Sequence, residues 1–346
     1  MKIHYDNLIY SLQRAGGIST YWSELTSRLL QDKEDISFTE SFNHNVARKT
    51  LSIPPHCIFQ NKHKQTLISR FQRISLPFKT EFIFHSSYNR VTNNPKARQV
   101  VTIHDFVHEK FYGGIRRYLH LHQKNKSINA AAKIITVSEN TKRDLLEYHP
   151  HLSSQNIAVI YNGVSEDFYP LKDKSIAKKP YLLFIGSRAY YKNFSFTIDV
   201  VKQHSDFDLF IVGSALNKKE TDELNNKLKG KWKLFSGIDN QLLNELYNNA
   251  FSVIYPSAYE GFGIPLLEAM KAGVPFIALN SSSIPEVAGD AGILVNDLDL
   301  QQFAQAINIV DAQRQQIVDK GFLQAQKFSW EKSYAETKAV YQSLGL

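Results

Sequence analysis

Short apolar runs alternate with amphipathic stretches along the second half of the chain. The apolar runs occupy residues 181–185, 208–212, 252–255, 275–279 and 292–295. The amphipathic stretches between them include 219–229, 240–250 and 265–272. Buried parallel strands are almost continuously apolar, and the helices that connect them cover both faces of the sheet. The pattern therefore predicts an α/β domain with a parallel sheet.

The first half shows the same alternation less regularly. Strands are predicted at 81–85, 99–103, 133–137 and 157–160, and helices at 18–31 and 139–148. The first ten residues include scattered polar side chains and predict a strand rather than a signal peptide. Residues 40–80 are polar and irregular. A polar stretch rich in Lys, Asp and Pro follows Asn162 and predicts the boundary between two domains.

Length and composition agree with two domains and narrow the classes of partner. A chain of 346 residues is long for one domain, and 43% of hydrophobic residues suffices for two cores. It holds one cysteine, Cys57, and no apolar run long enough to span a bilayer, so we expect a reducing, cytoplasmic setting. The net charge of +8 is compatible with phosphorylated ligands and anionic lipid. Nucleic acid is the weakest candidate partner, because the sequence has no zinc-finger spacing and no RNA-binding aromatic signature.

Residues 256–273 carry the most specific chemistry. They read PSAYEGFGIPLLEAMKAG, which predicts a glycine-containing loop between a strand and a helix. Free N–H groups at such a helix start can hold a phosphate, and Gly261 and Gly263 let the backbone approach a ligand closely. Glu260 and Glu268 would repel an anion, so we expect them to face the neutral hydroxyls of a sugar or ribose. The alternative is an ordinary strand–loop–helix unit with surface glutamates.

This stretch resembles the E-x7-E segment of retaining GT-B glycosyltransferases of family 4. The resemblance covers nearly the whole chain, because further motifs follow in the family's order. They are Gly16-Gly17, His104-Asp105, Val137-Ser138-Glu139-Asn140, Gly186 with Lys192-Asn193, Ser283-Ile284-Pro285-Glu286-Val287, Gly289-Asp290-Ala291-Gly292 and Phe328-Ser329-Trp330-Glu331. The resemblance implies a GT-B fold, which consists of two facing Rossmann-like α/β domains with parallel sheets and an interdomain cleft. It implies an acceptor-side domain at 1–162, a nucleotide-sugar donor domain at 163–325 and a C-terminal helix at 326–346 that returns toward the first domain.

The resemblance also implies a role for each matching residue. Glu268 would bind the ribose hydroxyls of the donor, and Glu260 would bind the transferred sugar together with loop amides. Lys192 would neutralise the diphosphate, and amides near Leu266 and Leu267 would take phosphate. The full set of implied donor-binding residues is Gly16, Gly17, Gly261, Phe262, Gly263, Ile264, Leu266, Leu267 and Glu268.

The implied catalytic set consists of His104, Arg188, Lys192 and Glu260. His104 follows a predicted strand, at the edge where open α/β sheets bind ligands, and would lie near the reacting carbon. Arg188 would share the diphosphate with Lys192. It departs from the common family pattern, in which Arg directly follows the glycine, because Ser187 intervenes here.

The remaining candidate metal ligands lack a convincing arrangement, and no metal or cofactor is expected. His108, His120 and His122 have no clear metal spacing and are interpreted as surface or packing residues. Asp206-Phe207-Asp208 and Asp297-Leu298-Asp299 resemble the triplets that hold Mn²⁺ or Mg²⁺ in glycosyltransferases of the other major fold. Here they are interpreted as strand-edge and turn residues. Cationic side chains and helix-end amides can neutralise a leaving diphosphate without metal.

The implied reaction is retaining transfer of a hexosyl unit from a nucleoside diphosphate to a hydroxyl of a glycan or lipid-linked acceptor. No residue stands out as a covalent nucleophile, so we expect the leaving phosphate to help take the acceptor proton. Members that share Gly-Ser-Arg and Tyr-Lys-Asn often assemble surface polysaccharide, frequently from GDP-mannose, with UDP-hexoses as the alternative.

Three other functions differ in how well they fit the sequence. A sugar-nucleotide epimerase on the same fold and an inactive binding protein remain open. A dinucleotide-dependent oxidoreductase is disfavoured, because no Gly-x-Gly-x-x-Gly opens a strand–helix unit.

Residues 62–79 suggest contact with a membrane. They hold five Lys and Arg and no acidic residue, while Leu67, Phe71, Ile74 and Phe78 recur at helical spacing. Basic amphipathic helices of this kind lie in the headgroup layer of anionic bilayers. We therefore expect reversible peripheral docking on the cytoplasmic leaflet, with a helix packed on the first domain as the alternative.

Overall fold

The computed structural model describes residues 1–60, 70–172 and 179–346. They divide into two compact units, which we call unit 1 (Met1–Asn162 with Trp330–Leu346) and unit 2 (Gly163–Ser329). The division after Asn162 coincides with the boundary expected from the sequence. Near its C-terminus the chain leaves unit 2 and returns to unit 1 at Trp330, whereas the sequence predicted this return at residue 326. Phe328 still belongs to unit 2, because it is buried and packs on Phe262 with ring centroids 5.8 Å apart.

Unit 1 is built on a parallel sheet of seven described strands in the order β3-β2-β1-β4-β5-β6-β7. The strands are β1 (Lys2–Asp6), β2 (Asp35–Glu40), β3 (Ile58–Gln60), β4 (Phe82–Ser86), β5 (Ala97–Ile103), β6 (Lys133–Thr136) and β7 (Ile157–Val159). Its first helices are α1 (Ile9–Leu12), α2 (Gly17–Gln31), α3 (Val46–Lys49), α4 (Val107–Phe111), α5 (Gly114–Ala130) and α6 (Glu139–Tyr148). The central strands are buried along nearly their whole length, as expected for a sheet covered on both faces.

Unit 2 repeats this design with six described parallel strands in the order β10-β9-β8-β11-β12-β13. The strands are β8 (Tyr181–Ile185), β9 (Asp208–Val212), β10 (Trp232–Phe235), β11 (Ser252–Tyr255), β12 (Phe276–Leu279) and β13 (Ile293–Val295). The helices are α7 (Phe194–Gln203), α8 (Lys218–Leu228), α9 (Asn240–Asn249), α10 (Ile264–Lys271), α11 (Ile284–Ala288), α12 (Leu300–Ala312) and α13 (Arg314–Ala325). The structure thus confirms the predicted parallel α/β organisation in both halves.

The last helix, α14 (Trp330–Gln342), belongs to unit 1. Its Tyr341 is fully buried, and the hydroxyl lies 2.7 Å from that of Tyr5 and 2.6 Å from Nδ1 of His85. Near the other end of the helix, Tyr334 donates a hydrogen bond of 2.6 Å to Asp32 at the end of α2. These contacts join the helix to the central strands and to α2.

Side-chain caps begin several helices where the sequence changes from loop to amphipathic pattern. Ser138 accepts from the amide of Thr141 at the start of α6. Asn217 and Glu220 form a capping box at the start of α8. Asp299 accepts from the amide of Gln302 at the start of α12. Such caps satisfy N–H groups that have no partner within the helix.

Residues 62–79 differ from the predicted amphipathic helix wherever they are described. Residues 62–69 lie outside the described residues, and 70–79 form a turn and an extended stretch without a helix. Ile74 makes a parallel bridge to Thr92 and packs with Leu76 and Phe78 around Phe82 and Phe84. The helix prediction is therefore wrong for 70–79, because these apolar side chains complete the core of the sheet. The sequence interpretation also missed β2, β3, β10 and the long helix α5.

Candidate donor and acceptor sites

The strand order of unit 2 creates a place for a ligand at one edge of its sheet. The chain moves outward through β9 and β10 on one side of β8 and through β12 and β13 on the other side of β11. The loops that follow the neighbouring strands β8 and β11 therefore diverge. Open α/β sheets bind ligands in the crevice that such a switch point leaves at the carboxyl ends of the strands.

The loop after β8 is held closely against the loop after β9. Gly186 has a positive φ of 125°, and a Cβ at Gly213 would lie 2.7 Å from the Gly186 carbonyl oxygen. The Arg188 guanidinium donates to the carbonyls of Ser214 and Ala215 at 3.0 and 2.8 Å, and its Nε lies 3.0 Å from Glu220. Arg188 thus fastens the two loops together, and its buried Nη1 has no hydrogen-bond partner among the described residues.

Lys192 and Glu260 bring the two switch-point loops together. Lys192 lies in a short 3₁₀ turn after β8, and its ammonium forms an ion pair with the Glu260 carboxylate from the loop after β11. Both side chains are more than four-fifths buried. The backbone also joins the loops, because the Ala258 amide donates to the Tyr191 carbonyl at 2.8 Å. The structure therefore places two predicted catalytic residues in direct contact.

The glycine-containing loop has a fixed conformation. The Glu260 amide donates to the Ser282 hydroxyl at 2.8 Å. The Ser283 hydroxyl bonds the carbonyls of Glu260 and Phe262, each at 2.9 Å. Gly263 has a φ of 113°, which favours glycine, and it directly precedes α10. Ser283, the first residue of the Ser-Ile-Pro-Glu-Val motif, therefore holds this loop through two of its carbonyl groups.

The start of α10 leaves helix N–H groups without a side-chain cap. No side chain caps the helix, and Pro265 occupies its first turn. Leu266 and Leu267 are fully buried, so only their backbone could meet a ligand. The Leu266 amide donates to the Gly263 carbonyl at 3.0 Å, which differs from the predicted phosphate contact.

Glu268 lies on α10, and its surroundings shift the pKa of its carboxyl group. Burial raises its pKa to about 7, although a hydrogen bond of 2.6 Å donated by the Tyr247 hydroxyl favours the charged form. Tyr255 at the end of β11 links the two glutamates. Burial and the negative charges of Glu260 and Glu268 hold the pKa of Tyr255 well above its usual value. Two carboxyl groups, one cation and two phenols thus meet at the switch point.

In unit 1 the equivalent switch point lies between β1 and β4. Gly16 and Gly17 stand at the start of α2, where Gly16 has no capping side chain. Tyr21 on the same helix packs edge-on against His104, with ring centroids 5.0 Å apart. The predicted glycines therefore begin the helix α2, and His104 packs against the same helix.

His104 lines a small pocket at the end of β5. Burial lowers its pKa to about 4, an effect that Asp105 opposes and Lys124 increases. The imidazole is thus neutral at physiological pH and can accept a hydrogen bond from a sugar hydroxyl. The pocket is also lined by Tyr88 and Asn89 from the loop after β4.

Further residues line this pocket. His108 and His120, interpreted as surface or packing residues, stack with ring centroids 3.9 Å apart and line the pocket with His104. Lys124 is buried, with its ammonium 2.6 Å from the Asp105 carbonyl and 2.9 Å from Glu109. An interpretation of α5 as a helix could have found His120 and Lys124, because positions 120 and 124 share one face.

The Asp-x-Asp triplets lie at the ends of secondary-structure elements. Asp208 opens β9, and Asp299 caps α12. Within the described ranges 1–60, 70–172 and 179–346, no group of three or more His, Cys, Asp or Glu could hold a metal ion. In the same ranges, no helix is long and apolar enough to cross a membrane.

Known proteins resemble both halves of the chain. The model of Glycosyltransferase Family 4 matches residues 15–168, and that of Glycosyl transferases group 1 matches 167–318. The O-antigen chain mannosyltransferase B of Escherichia coli is 28% identical over 76% of this chain and 75% of its own length.

Solved structures resemble the complete fold. Sucrose-phosphate synthase from Thermosynechococcus elongatus superimposes with a TM-score of 0.79 over 99% of both chains at 17% identity. HepE of Anabaena, solved with UDP and glucose, superimposes with a TM-score of 0.76 over 99% of this chain and 100% of that chain, also at 17% identity. The chain therefore belongs to the GT-B glycosyltransferases, with a Glycosyltransferase Family 4 domain followed by a Glycosyl transferases group 1 domain.

Proposed function

We propose that this protein is a retaining mannosyltransferase that moves mannose from GDP-mannose to a hydroxyl of a glycan or lipid-linked acceptor. The observation that carries the proposal is the meeting of Lys192, Glu260 and Glu268 around Tyr255 at the switch point of unit 2. Similarity to an O-antigen chain mannosyltransferase supports the choice of sugar.

The cations of unit 2 suit a leaving diphosphate. Lys192 would leave part of its ion pair with Glu260 to neutralise the charge that develops on the diphosphate, and the freed carboxylate would bind a hydroxyl of the sugar. Arg188 would direct its unpartnered Nη1 to the diphosphate, while its Nη2 keeps the hydrogen bonds to the carbonyls of Ser214 and Ala215. The start of α10 would add partial positive charge.

The proton of the acceptor hydroxyl needs a base on the same face as the leaving group if configuration is retained. We propose that an oxygen of the departing phosphate takes this proton as the new glycosidic bond forms. The neutral His104 would accept a hydrogen bond from the sugar and orient it. Lys192 and Arg188 would replace a metal ion in this scheme.

Metal independence can be tested directly. We expect transfer to survive exhaustive treatment with EDTA, because the proposed neutralising charges belong to side chains. Complete loss of activity that Mn²⁺ restores would contradict this part of the proposal.

The nucleotide base is tested by a thermal-shift and calorimetric screen of nucleoside diphosphates, since a ligand that binds the folded state stabilises it by mass action. We expect GDP to stabilise the protein more than UDP does. A UDP-hexose donor is the second candidate, because the similar fold of HepE was solved with UDP and glucose. A larger shift with UDP would select it.

An epimerase would be distinguished by its products. It would convert the sugar nucleotide without an acceptor, whereas a transferase needs the acceptor to form its product. An inactive binding protein would show nucleotide binding without either reaction.

We also propose reversible docking on the cytoplasmic face of a membrane. Since Ile74 and Phe78 pack in the core, the described part of 62–79 would contribute charge rather than an inserted apolar face. Arg73 and Lys79 are exposed there. Binding to liposomes should need anionic lipid, weaken with salt, and fall when Arg70 and Arg73 are changed to Glu. Equal partitioning under all conditions would contradict docking.

A further inference from the structure

The cationic charge of the chain is concentrated in one stretch of unit 1. Residues 41–138 contain sixteen Lys and Arg but only three Asp and Glu, giving a charge of +13, whereas the whole chain carries +8. The remaining residues are therefore net negative, at −5. This asymmetry directs an anionic ligand to unit 1 independently of the donor site.

Within this stretch lies an open basin of about 540 Å³. Its polar lining includes Arg73, Gln99, His122, Asn125, Lys126 and Asn129. Four of these occupy positions 122, 125, 126 and 129 of α5, which is the spacing of one helix face. No acidic residue is among the described residues that line the basin, so its chemistry suits a phosphate better than a cation.

The segment that carries Arg73 is held in place. Ile74 exchanges backbone hydrogen bonds with Val91 and Asn93 at 3.0 and 3.1 Å. Gln123 donates to the Arg70 carbonyl at 2.7 Å. Arg73 and Lys126 form no ion pair with a described carboxylate, so both charges are available to a ligand.

An apolar ledge continues from the basin toward the start of α5. It consists of Ile115, Tyr118 and Leu119, which share the helix face of positions 122, 125, 126 and 129, and Ile115 is 70% and Tyr118 67% exposed. The Tyr118 ring stacks on His122, a residue of the basin, with centroids 6.5 Å apart. Single exposed apolar side chains are ordinary, but three on the helix face that also lines a cationic basin indicate an amphipathic partner.

We propose that the basin and the ledge form one binding site for a lipid phosphate. The phosphate would lie between Arg73 and Lys126, where the amides of Asn125 and Asn129 supply further hydrogen bonds, and the hydrocarbon chain would follow Tyr118 and Ile115. The site deepens the proposed function, because the bound lipid would be the carrier of the acceptor glycan. That role of the lipid rests on the proposed transferase activity.

Calorimetric titration of the full chain with geranyl phosphate, geraniol and inorganic phosphate tests the site without any donor. Geranyl phosphate should bind more tightly than either fragment. Lys126→Glu should weaken both phosphate-containing probes by about tenfold or more, because it replaces a charge-assisted contact with repulsion. Tyr118→Ser should weaken geranyl phosphate and leave inorganic phosphate unchanged. Lys49→Glu, an exposed change on α3 of the same unit, is the matched control and should alter none of them.

Vesicles separate the two sources of lipid phosphate. Phosphatidylcholine vesicles with and without phosphatidylglycerol would be compared with the monomeric probe. Binding to anionic vesicles without binding of geranyl phosphate would overturn the proposal in favour of a bilayer surface. Equal affinity for geranyl phosphate in Lys126→Glu and Lys49→Glu would also overturn it. GDP binding measured on the same samples reports on the proposed donor site separately, so either proposal can fail alone.

Discussion

The two units share a strand order but place different chemistry at equivalent edges of their sheets. Eleven of the twelve histidines lie in residues 1–162, and burial lowers the pKa of His4, His85 and His120 to about 3. Unit 2 instead holds a carboxyl group, Glu268, whose pKa burial raises to about 7. A common framework therefore carries buried neutral imidazoles in one unit and an ion-paired carboxylate site in the other. The strand order fixes where each site lies, and the loop residues fix what it does.

The largest expected effect would come from removing the cation of unit 2. Lys192→Ala should lower turnover by roughly a hundredfold or more, because the contact strengthens as the leaving group gains charge. Saturating donor should not restore the rate. Steady-state kinetics with Lys202→Ala, an exposed change on α7, supplies the control. Near-normal turnover of Lys192→Ala would contradict the proposed role of this cation in neutralising the leaving diphosphate.

A change in unit 1 should separate sugar transfer from nucleotide binding. His104→Ala should lower turnover by about tenfold or more through loss of an orienting hydrogen bond, and leave the calorimetric affinity for GDP unchanged. His104→Gln, which keeps an acceptor, should recover part of the rate. A parallel loss of GDP affinity would mean that the nucleotide contacts the imidazole pocket.

The sequence predicted many of the strands and the motif residues of the candidate sites, but it did not predict which side chains contact each other. Strands such as 181–185 were predicted because continuous burial leaves a plain apolar run. Glu260 and Glu268 stood out in the 256–273 stretch, and the resemblance to family 4 implied Lys192. The ion pair of Lys192 with Glu260 and the serine contacts to the glycine loop join residues far apart in the chain, so no local pattern encodes them. The helical spacing was misleading at positions 74 and 78, since Ile74 and Phe78 pack in a sheet core.

Acid should affect the two units in opposite directions. A neutral buried histidine with a folded-state pKa near 3 contributes stability that is complete above the unfolded pKa of about 6.5 and is lost as pH falls toward the folded value. Protonation of Glu268 instead removes the cost of a buried charge as pH falls from about 7. Amide hydrogen exchange at pH 7 and pH 5, corrected for intrinsic rates, should show a several-fold loss of protection in β1 and β4 and none in β8 and β11. An equal loss of protection in the strands of both units would contradict the expected difference between them.

The smallest effect concerns the ribose contact. GDP should bind more tightly as pH rises from 6 to 8, because the ionised Glu268 accepts hydrogen bonds from two hydroxyls and burial raises its pKa to about 7. Glu268→Gln should lower the affinity by about fivefold at pH 8 and remove the pH dependence. Glu147→Gln, on the exposed face of α6, should keep both. An unchanged pH profile in Glu268→Gln would assign the titration to another group.

The central claim is that the switch point of unit 2 binds the nucleotide sugar, and hydrogen exchange of the full chain with GDP-mannose tests it most directly. Bound donor excludes water and restricts opening of the backbone that it contacts. The account predicts protection of residues 186–192 and 255–271, weaker protection with UDP-glucose, and, at subsaturating donor, reduced protection in Glu268→Gln at pH 8. Protection confined to unit 1, or none with any nucleotide sugar, would contradict it.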